Sequence, residues 1–123
     1  MREFVKTMRG LSDPNRAKII KLLQRRELCG CHIKKILGLA QSTTSVHLKL
    51  LEEAGLICSS REGLRVRYRL ADETANRYAA CMLGSLWHWL EKDAEVTTVL
   101  AWLPDGLQKS DQPRPLSNQS TSV

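Results

Sequence analysis

Two cysteines separated by a single residue, Cys29 and Cys31, are the residues of this sequence that most directly suggest chemistry. Thiolates bind soft ions in preference to hard ones. Residues i and i+2 lie on different sides of an α-helix, so both thiols reach one ion only if Cys29 stands outside a helix or the first turn unwinds. Gly30 between them gives the backbone that freedom at little cost. The pair therefore predicts a binding site for a soft, low-coordinate ion.

Other residues of the sequence suggest how reactive these thiols are and what could provide a third ligand for the ion. A helix N-terminus and the nearby Arg25 and Arg26 are expected to lower the pKa values of both thiols and to favour thiolates. The third ligand stays open among Cys58, Cys81 and a small cellular thiol, although both cysteines are also typical of ordinary buried residues. The sequence contains no second closely spaced cysteine pair, which argues against a structural zinc site.

The length and charge of the chain indicate which class of protein it belongs to. The chain has 123 residues, carries a formal net charge of +6 and is 42% hydrophobic. One domain of about 100 residues fits this length, and disorder throughout is not expected. Residues 14–38 contain seven basic residues and one acidic residue, whereas residues 72–103 are acidic on balance. This uneven distribution favours nucleic acid as the partner of the first part of the chain.

The apolar stretches of the chain are short. None approaches the ~20 residues that span a bilayer, and the first ten residues lack the apolar core of a secretory signal. We therefore expect a cytoplasmic protein with reduced cysteines and no membrane partner.

The first half of the chain has the spacing of a helix-turn-helix. Asp13 and Pro14 begin a helix predicted over residues 13–25, and a short helix over residues 30–37 ends at Gly38. A further helix follows almost at once, and we expect Ser42 to cap it, Ala54 to lie at its end and Gly55 to terminate it. Two short helices with a tight connection are typical of this motif.

A basic hairpin and more helix are predicted to follow. Strand-like segments over 56–61 and 64–70 flank the Glu62-Gly63 turn, and the second alternates arginines with apolar residues. A long helix over 73–91 and a shorter one over 94–103 come next, residues 2–9 are also helical, and residues 104–123 are expected to be a disordered tail. The fold class is mainly α with a small β-hairpin, a winged helix-turn-helix with a DNA-binding and dimerisation domain over residues 1–103.

The helix that begins near Ser42 has the composition of a DNA-reading helix. Thr44, Leu48 and Leu51 should face the core, which leaves small polar side chains and Val46 on the outside, while His47 is expected to pack against a neighbouring helix. Small hydroxyl and amide side chains allow close entry into a major groove. The candidate DNA-binding residues are Gln41, Ser42, Thr43, Ser45 and Lys49 of this helix and Arg61, Arg65 and Arg67 of the wing.

Apolar residues cover more than one face of the long helix, which predicts a homodimer through this helix and the first one. The candidate interface residues are Met82, Leu83, Leu86, Trp87 and Leu90, joined by Phe4, Val5 and Met8 of the first helix. Such a dimer would place two reading helices about one DNA turn apart and require an operator with an inverted repeat.

Three segments resemble the ArsR/SmtB family of metal-sensing repressors, and the similarity extends over about residues 4–92. They are residues 11–16 (LSDPNR), 27–33 (ELCGCHI) and 42–57 (STTSVHLKLLEEAGLI). The ELC-x-C pattern looks like the arsenic-responsive branch. The resemblance implies a homodimeric winged-helix repressor, which leaves double-stranded operator DNA when trivalent arsenic or antimony binds Cys29 and Cys31. No nucleophile-base-acid constellation or Gly-rich phosphate loop appears in the sequence, so we expect neither an enzyme nor an organic cofactor.

The sequence also departs from the patterns of this family. Arsenic sensors commonly have a third cysteine where Lys34 stands, and cadmium/lead sensors add N-terminal cysteines, of which residues 1–28 contain none. The His88-x-x-Glu91 pattern of zinc sensors is present, but the partner positions are Ala75 and Arg77. A cadmium- or zinc-responsive repressor, a thiol redox or persulfide sensor and a metalloid-binding buffer protein therefore stay open as alternatives.

Overall fold

The computed structural model describes residues 1–71 and 76–104. Within these ranges the chain forms helices with a small antiparallel sheet. The elements in chain order are α1 (Arg2–Leu11), α2 (Pro14–Arg25), β1 (Leu28–Cys29), α3 (Gly30–Leu37), α4 (Gln41–Glu53), β2 (Ile57–Glu62), β3 (Arg65–Leu70), α5 (Arg77–Leu86) and α6 (Ala94–Ala101). The mainly helical winged helix-turn-helix class predicted from the sequence is confirmed. No helix in the described part of the chain is long and apolar enough to cross a bilayer.

The helices α2 and α3 begin and end where their capping residues predict. The Asp13 carboxylate accepts hydrogen bonds from the backbone N–H groups of Asn15 and Arg16 at 2.9 and 3.2 Å, and Pro14 occupies the first turn. Gly38 ends α3 in the left-handed conformation, with φ of 68°. These caps confirm the two predicted helices that precede α4.

The predicted cap of α4 is wrong by two positions. Ala40 is the N-cap residue, and its carbonyl accepts both the backbone N–H of Thr44 at 3.0 Å and the Thr44 hydroxyl at 2.9 Å. Hydrogen bonding therefore begins at the Ala40 carbonyl, and Ser42 lies within the first turn. The far end agrees with the prediction, because the helix stops at Glu53 and Gly55 has a φ of 77°.

The wing is a β2–β3 hairpin, as predicted, and Gly63 forms its turn with a φ of 64°. The short strand β1 pairs with the other edge of β3 and makes a three-stranded sheet in the order β1-β3-β2. Leu28 lies opposite Tyr68 and Cys29 lies opposite Arg67. A two-residue strand is too short to leave a pattern in the sequence, so the hairpin was foreseen and its third strand was not.

The core draws apolar side chains from α2 through α6 and from β2. Its fully buried members include Ile19, Ile20, Leu22, Ile33, Leu51 and Leu56. A buried polar contact anchors α1 beside it. The Thr7 hydroxyl donates to the Ala54 carbonyl at 3.0 Å, and the Asn76 amide donates to both of these oxygens at 3.2 and 3.3 Å. This contact joins α1, the end of α4 and the start of α5.

The predicted long helix is wrong at its C-terminal end. Among the described residues of this segment, 77–86 are helical, after which the chain turns over residues 87–92. The ammonium of Lys21, a side chain only 1% exposed, donates to the carbonyls of Leu86 and Trp89 at 2.7 and 3.0 Å and binds the Glu91 carboxylate. These carbonyls are thereby withdrawn from the helical ladder, and Leu90 adopts a φ of 64°. The predicted helical residues 73–75, like the predicted tail beyond Pro104, lie outside the described residues.

The apolar residues assigned to the dimer interface fall into two groups. Leu83 and Leu86 are buried in the core of the protomer itself, because this face of α5 packs inward. Met82 is half-buried, while Trp87 is 50% and Leu90 39% exposed. The surplus apolar surface therefore lies at the end of α5 and in the following turn.

Candidate metal centre and nucleic-acid interface

Cys29 stands outside the helix, which is one of the two arrangements that the sequence analysis required. It belongs to β1 and has extended backbone angles, with φ of −80° and ψ of 159°, and α3 begins at the next residue, Gly30. The Cys29 side chain is buried, whereas Cys31 in the first turn of α3 is exposed. The backbone therefore brings two thiols of different accessibility to the start of one helix.

His32 joins these cysteines, and the sequence analysis did not consider it as a ligand. The Cys29 sulfur lies 3.0 Å from the His32 Nδ1 atom. One donor atom from each of Cys29, Cys31 and His32 lies within 4.8 Å of the others, and within the described ranges this is the group of histidine, cysteine and acidic side chains able to hold a metal ion. The position of His32, next to Cys31 and three residues after Cys29, was the signal that could have revealed it.

The two thiols differ in pKa, contrary to the prediction that both are lowered. A hydrogen bond from the Cys29 thiol to the Cys31 sulfur lowers the pKa of Cys31 to about 6, and the same bond and burial raise the pKa of Cys29. The arginine that further lowers the pKa of Cys31 is Arg65 of the wing, rather than Arg25 or Arg26. The pair therefore shares one proton at neutral pH.

His32 is neutral near pH 7. Burial, and after it the positive charges of Arg65 and Lys35, lower its pKa to about 4. A neutral imidazole keeps a nitrogen lone pair, which is the form that binds metal ions. The site therefore offers a thiolate, a thiol and an imidazole, in a setting of positive charge supplied by the wing and by α3.

The structure does not bring the other two cysteines to this site. Cys58 is half-buried in β2, opposite Arg69, and Cys81 is exposed on α5. Neither belongs to the group formed by Cys29, Cys31 and His32. The expectation that Cys81 is an ordinary buried cysteine is wrong, because its position on α5 faces away from the core.

A cavity of about 350 Å³ adjoins the thiols. Its walls come from the start of α3, from α4 and from the wing, with Cys29, Cys31, Gln41, Ser45, Arg65 and Tyr68 among the lining residues. A side chain at Gly30 would lie 3.4 Å from the Tyr68 ring and 3.7 Å from Leu48, so the first turn of α3 packs closely on both neighbours. The cavity thus has the thiols on one wall and candidate DNA-binding residues on the others.

The faces of α4 are divided as the sequence predicts. Thr44, Leu48 and Leu51 are buried, and Val46 is exposed. The predicted DNA-binding residues of this helix are all exposed, namely Gln41, Ser42, Thr43, Ser45 and Lys49. His47 packs against α2, since its Nδ1 atom lies 3.0 Å from the Arg16 guanidinium. The exposed side of α4 is therefore small, polar and available for contact.

The wing arginines differ in their surroundings. Arg61 and Arg65 are exposed, whereas Arg67 is half-buried and donates to the Glu62 carboxylate at 3.2 Å. Glu62 thereby offsets part of the charge of Arg67. The positive charge of the wing therefore comes mainly from the other arginines of the hairpin.

In the His88-x-x-Glu91 pattern, Glu91 is engaged in a contact within the protomer. His88 is exposed in the turn after α5, and Glu91 is bound to Lys21. Arg77 occupies one partner position and Ala75 lies outside the described residues. The Glu91 carboxylate therefore contributes to the contact that ends α5.

Comparisons with known proteins agree with this architecture. The family model described as "Bacterial regulatory protein, arsR family" matches residues 13–59. The arsenic resistance transcriptional regulator ArsR1 of Pseudomonas putida is 38% identical over 88 residues, which cover 68% of this chain and 69% of that protein. A cadmium resistance transcriptional regulatory protein, a CadC homolog of Staphylococcus aureus, is 38% identical over 72 residues, or 58% of this chain and 60% of that protein.

Solved structures show the same fold. HlyU from Vibrio cholerae matches with a TM-score of 0.60 at 28% identity, over 73% of this chain and 92% of that one. The homodimeric winged helix-turn-helix DNA-binding domain of a possible ArsR-family regulator from Mycobacterium bovis matches with a TM-score of 0.59 at 29% identity, over 73% and 83% of the two chains. Together with the identity to the Pseudomonas putida regulator over more than two thirds of its length, these matches show that the chain belongs to the ArsR family of bacterial regulatory proteins.

Proposed function

We propose that this chain is a homodimeric transcriptional repressor that binds operator DNA and leaves it when a thiophilic ion binds Cys29 and Cys31. One observation carries the proposal: the two thiols open into a cavity whose other walls are α4 and the wing. A ligand at the thiols is therefore adjacent to the surface that would contact DNA. Membership of the ArsR family supports the same assignment.

The proposed DNA surface combines α4 with the wing. Exposed side chains of α4, chiefly Gln41 and Ser45, would read base edges in the major groove, and Arg61 and Arg65 would bind phosphates. The net charge of +6 and its concentration before residue 72 favour this partner. These residues belong to the proposed DNA-binding and dimerisation domain over residues 1–103.

The inducer that we propose is trivalent arsenic or antimony. Soft ions of this kind form bonds with thiolates, and Cys29 and Cys31 would provide two of them. Neither Cys58 nor Cys81 lies in the ligand group, so a small cellular thiol in the adjoining cavity is the favoured third ligand. The Pseudomonas putida relative is an arsenic resistance transcriptional regulator, which supports this choice.

The contacts of Cys29 suggest how ligand binding would reach the DNA surface. Its backbone pairs with Arg67 of the wing, and the next residue, Gly30, packs on Tyr68 of the wing and Leu48 of α4. Drawing the two sulfurs onto one ion requires movement of β1 or of the first turn of α3. Either movement disturbs the wing and α4 directly, without passing through the rest of the protomer.

The proposed dimer uses the apolar surface that the protomer leaves exposed. Phe4 and Val5 on α1 and Trp87 and Leu90 after α5 each expose at least 38% of their area. Paired protomers would present two α4 helices to successive major grooves, so the proposed operator contains an inverted repeat. Sedimentation at micromolar protein that gives only monomer would contradict this part of the proposal.

The central experiment follows release of labelled DNA taken from the region upstream of the coding sequence. Arsenite should release the wild-type protein and the Cys81→Ser control, because Cys81 lies outside the ligand group. The Cys29→Ser/Cys31→Ser variant should bind the DNA with wild-type affinity and stay bound at the same arsenite concentration. Release of this double variant as readily as wild type would contradict the ligand assignment.

Two further measurements in the same experiment distinguish the repressor from the alternative functions. Failure of reduced wild-type protein to bind the upstream DNA would indicate a buffer protein rather than a repressor. Release by peroxide together with loss of free thiols, and no response to arsenite or antimonite, would indicate a redox sensor instead. Release by arsenite before any thiol oxidation is the result that we expect.

A further inference from the structure

We propose that His32 is a third protein ligand and that it gives the repressor a second response, to a divalent thiophilic cation such as Cd²⁺. This inference rests on the proposed function, because it adds a ligand and an ion class to the same site. The resemblance drawn from the sequence gives this histidine no role as a ligand, and its place in the fold is what suggests one.

The positions of the donor atoms support the assignment. The Cys29 sulfur and the His32 Nδ1 atom are 3.0 Å apart, and all three donor atoms lie within 4.8 Å of one another. Around a tetrahedral zinc ion, a thiolate sulfur and an imidazole nitrogen are separated by about 3.6 Å and two sulfurs by about 3.8 Å, and a larger cation needs somewhat more. The donors therefore already lie close to the separations that one ion requires, and a small movement of the first turn of α3 would bring them onto it.

The backbone explains why the three donors converge. Cys29 is extended and lies at the N-cap of α3, so its side chain is directed over the first turn of the helix. His32 is the third residue of that turn, where N-cap side chains make their contacts. Cys31 lies between them in sequence and is exposed, which leaves one side of the group open to an entering ion.

The donor set distinguishes two classes of ion. Two thiolates and an imidazole suit divalent cations of the zinc and cadmium type, and the paired thiolates would neutralise the charge of such a cation. Trivalent arsenic prefers sulfur for its third bond, so an imidazole adds little to its binding. His32 should therefore matter for the cation and not for the metalloid.

The test measures Cd²⁺ affinity through the ultraviolet absorption of the cadmium–thiolate bonds, in competition with a chelator. We compare the wild-type protein with His32→Ala and with His88→Ala, whose histidine is exposed and outside the group. Loss of a residue that merely supports a ligand commonly weakens metal binding about 10–100-fold, so loss of a ligand should weaken Cd²⁺ binding at least ~10-fold. His88→Ala should match wild type.

A second measurement does not depend on the folding of a variant. Wild-type protein labelled with ¹⁵N-histidine and loaded with ¹¹³Cd²⁺ should show scalar coupling between the metal and a His32 ring nitrogen. Absence of this coupling in a 1:1 complex, or unchanged Cd²⁺ affinity in His32→Ala, would overturn the inference.

DNA release separates this inference from the proposed function. In His32→Ala, the Cd²⁺ concentration that releases the operator should rise at least ~10-fold in parallel with the lost affinity, while the arsenite concentration should stay as in wild type. If the cysteine variants lose both responses and His32→Ala loses neither, the proposed function stands and the histidine is not a ligand. If the cysteine variants keep both responses, the proposed function itself fails.

Discussion

Two polar clusters in the described part of the protein, one at the end of α5 and one at the start of α3, differ in the groups that hold them together. At the end of α5, the Lys21 ammonium is bound by two backbone carbonyls and by the Glu91 carboxylate, so each of its donors has an acceptor. At the start of α3, Cys29, Cys31 and His32 bring three soft donor atoms together beside a cavity. The first cluster joins two helices, whereas the second is suited to bind something else.

Chemical complementarity explains the difference. A cation enclosed by oxygen atoms is already neutralised, and its exchange for any ligand would leave buried carbonyls without partners. The second cluster is held by contacts among its own soft donor atoms, namely the hydrogen bond from the Cys29 thiol to the Cys31 sulfur and the contact between the Cys29 sulfur and His32 Nδ1. An ion bound to these donors would replace contacts within the cluster and leave no buried carbonyl without a partner. A cluster closed by backbone oxygens therefore indicates architecture, whereas soft donors gathered beside a cavity indicate binding.

Replacement of Lys21 should have the largest effect on stability and none on inducer response. Lys21→Met leaves the carbonyls of Leu86 and Trp89 without their donor, and we expect a loss of about 2–4 kcal/mol in the free energy of unfolding. Urea denaturation measures it. The matched control is Lys18→Met, whose partner Glu95 is exposed and whose loss should cost less than about 1 kcal/mol. Equal stability of both variants would remove the structural role given to the Lys21 cluster.

Alkylation rates should reveal the second cluster as the reactive one. The pKa of Cys31, lowered to about 6, leaves it mostly thiolate at neutral pH, so its reaction with iodoacetamide should rise through a midpoint of about pH 6 and then level off. Lys21→Met should keep this profile, and Arg65→Ala should move the midpoint to higher pH. Mass spectrometry of the digested protein gives the rate for the Cys31 peptide. A midpoint near pH 9 in the wild-type protein would contradict the shared-proton arrangement.

Substitutions in the wing should distinguish an arginine that contacts only DNA from one that also lowers the pKa of Cys31. Replacement of Arg61 or Arg65 by alanine should each reduce the slope of log affinity against log salt by about 1, because one phosphate contact is lost. Only Arg65→Ala should also change Cys31 alkylation. Fluorescence anisotropy with operator DNA at several salt concentrations measures the slope. A wild-type affinity that does not depend on salt would exclude this surface as the DNA contact.

The smallest effect is expected at Gly30. An alanine side chain there would make ordinary contacts with Tyr68 and Leu48, so Gly30→Ala should fold, with a change in stability within about 1 kcal/mol. The less flexible alanine backbone opposes movement of the two sulfurs onto one ion. Release of DNA should therefore need a few-fold more arsenite, which corresponds to a free energy of about 1 kcal/mol or less. Release at the wild-type concentration would indicate that the first turn of α3 does not move.

Local signals in the sequence accounted for most of the helices and for the hairpin. Asp13 and Pro14, Gly38 and Gly55 act through the backbone of their own segment, and each marks a boundary correctly. The buried face of α4 followed from the spacing of Thr44, Leu48 and Leu51 in the same way. Such features depend on neighbours a few residues away and can therefore be predicted from the sequence.

Several of the failures depend on contacts between residues far apart in the chain. The end of α5 is set by Lys21, which is 65 residues away from Leu86, and no periodicity within 73–91 could indicate it. The burial of Leu83 and Leu86 in the protomer depends on which face of α5 packs inward. The arginine beside Cys31 comes from the wing rather than from the preceding helix for the same reason.

Residue type and spacing were sufficient to establish the winged helix-turn-helix, the exposed polar face of α4 and the chemical character of the Cys29-x-Cys31 pair. The pairing of β1 with β3, the end of α5 and the cavity that joins the thiols to the exposed side of α4 and to the wing required the folded chain. Propensities and caps act along the backbone, whereas packing brings together side chains whose separation in sequence carries no signal. The thiol pair could therefore be found from the sequence alone, but its position beside α4 and the wing could not.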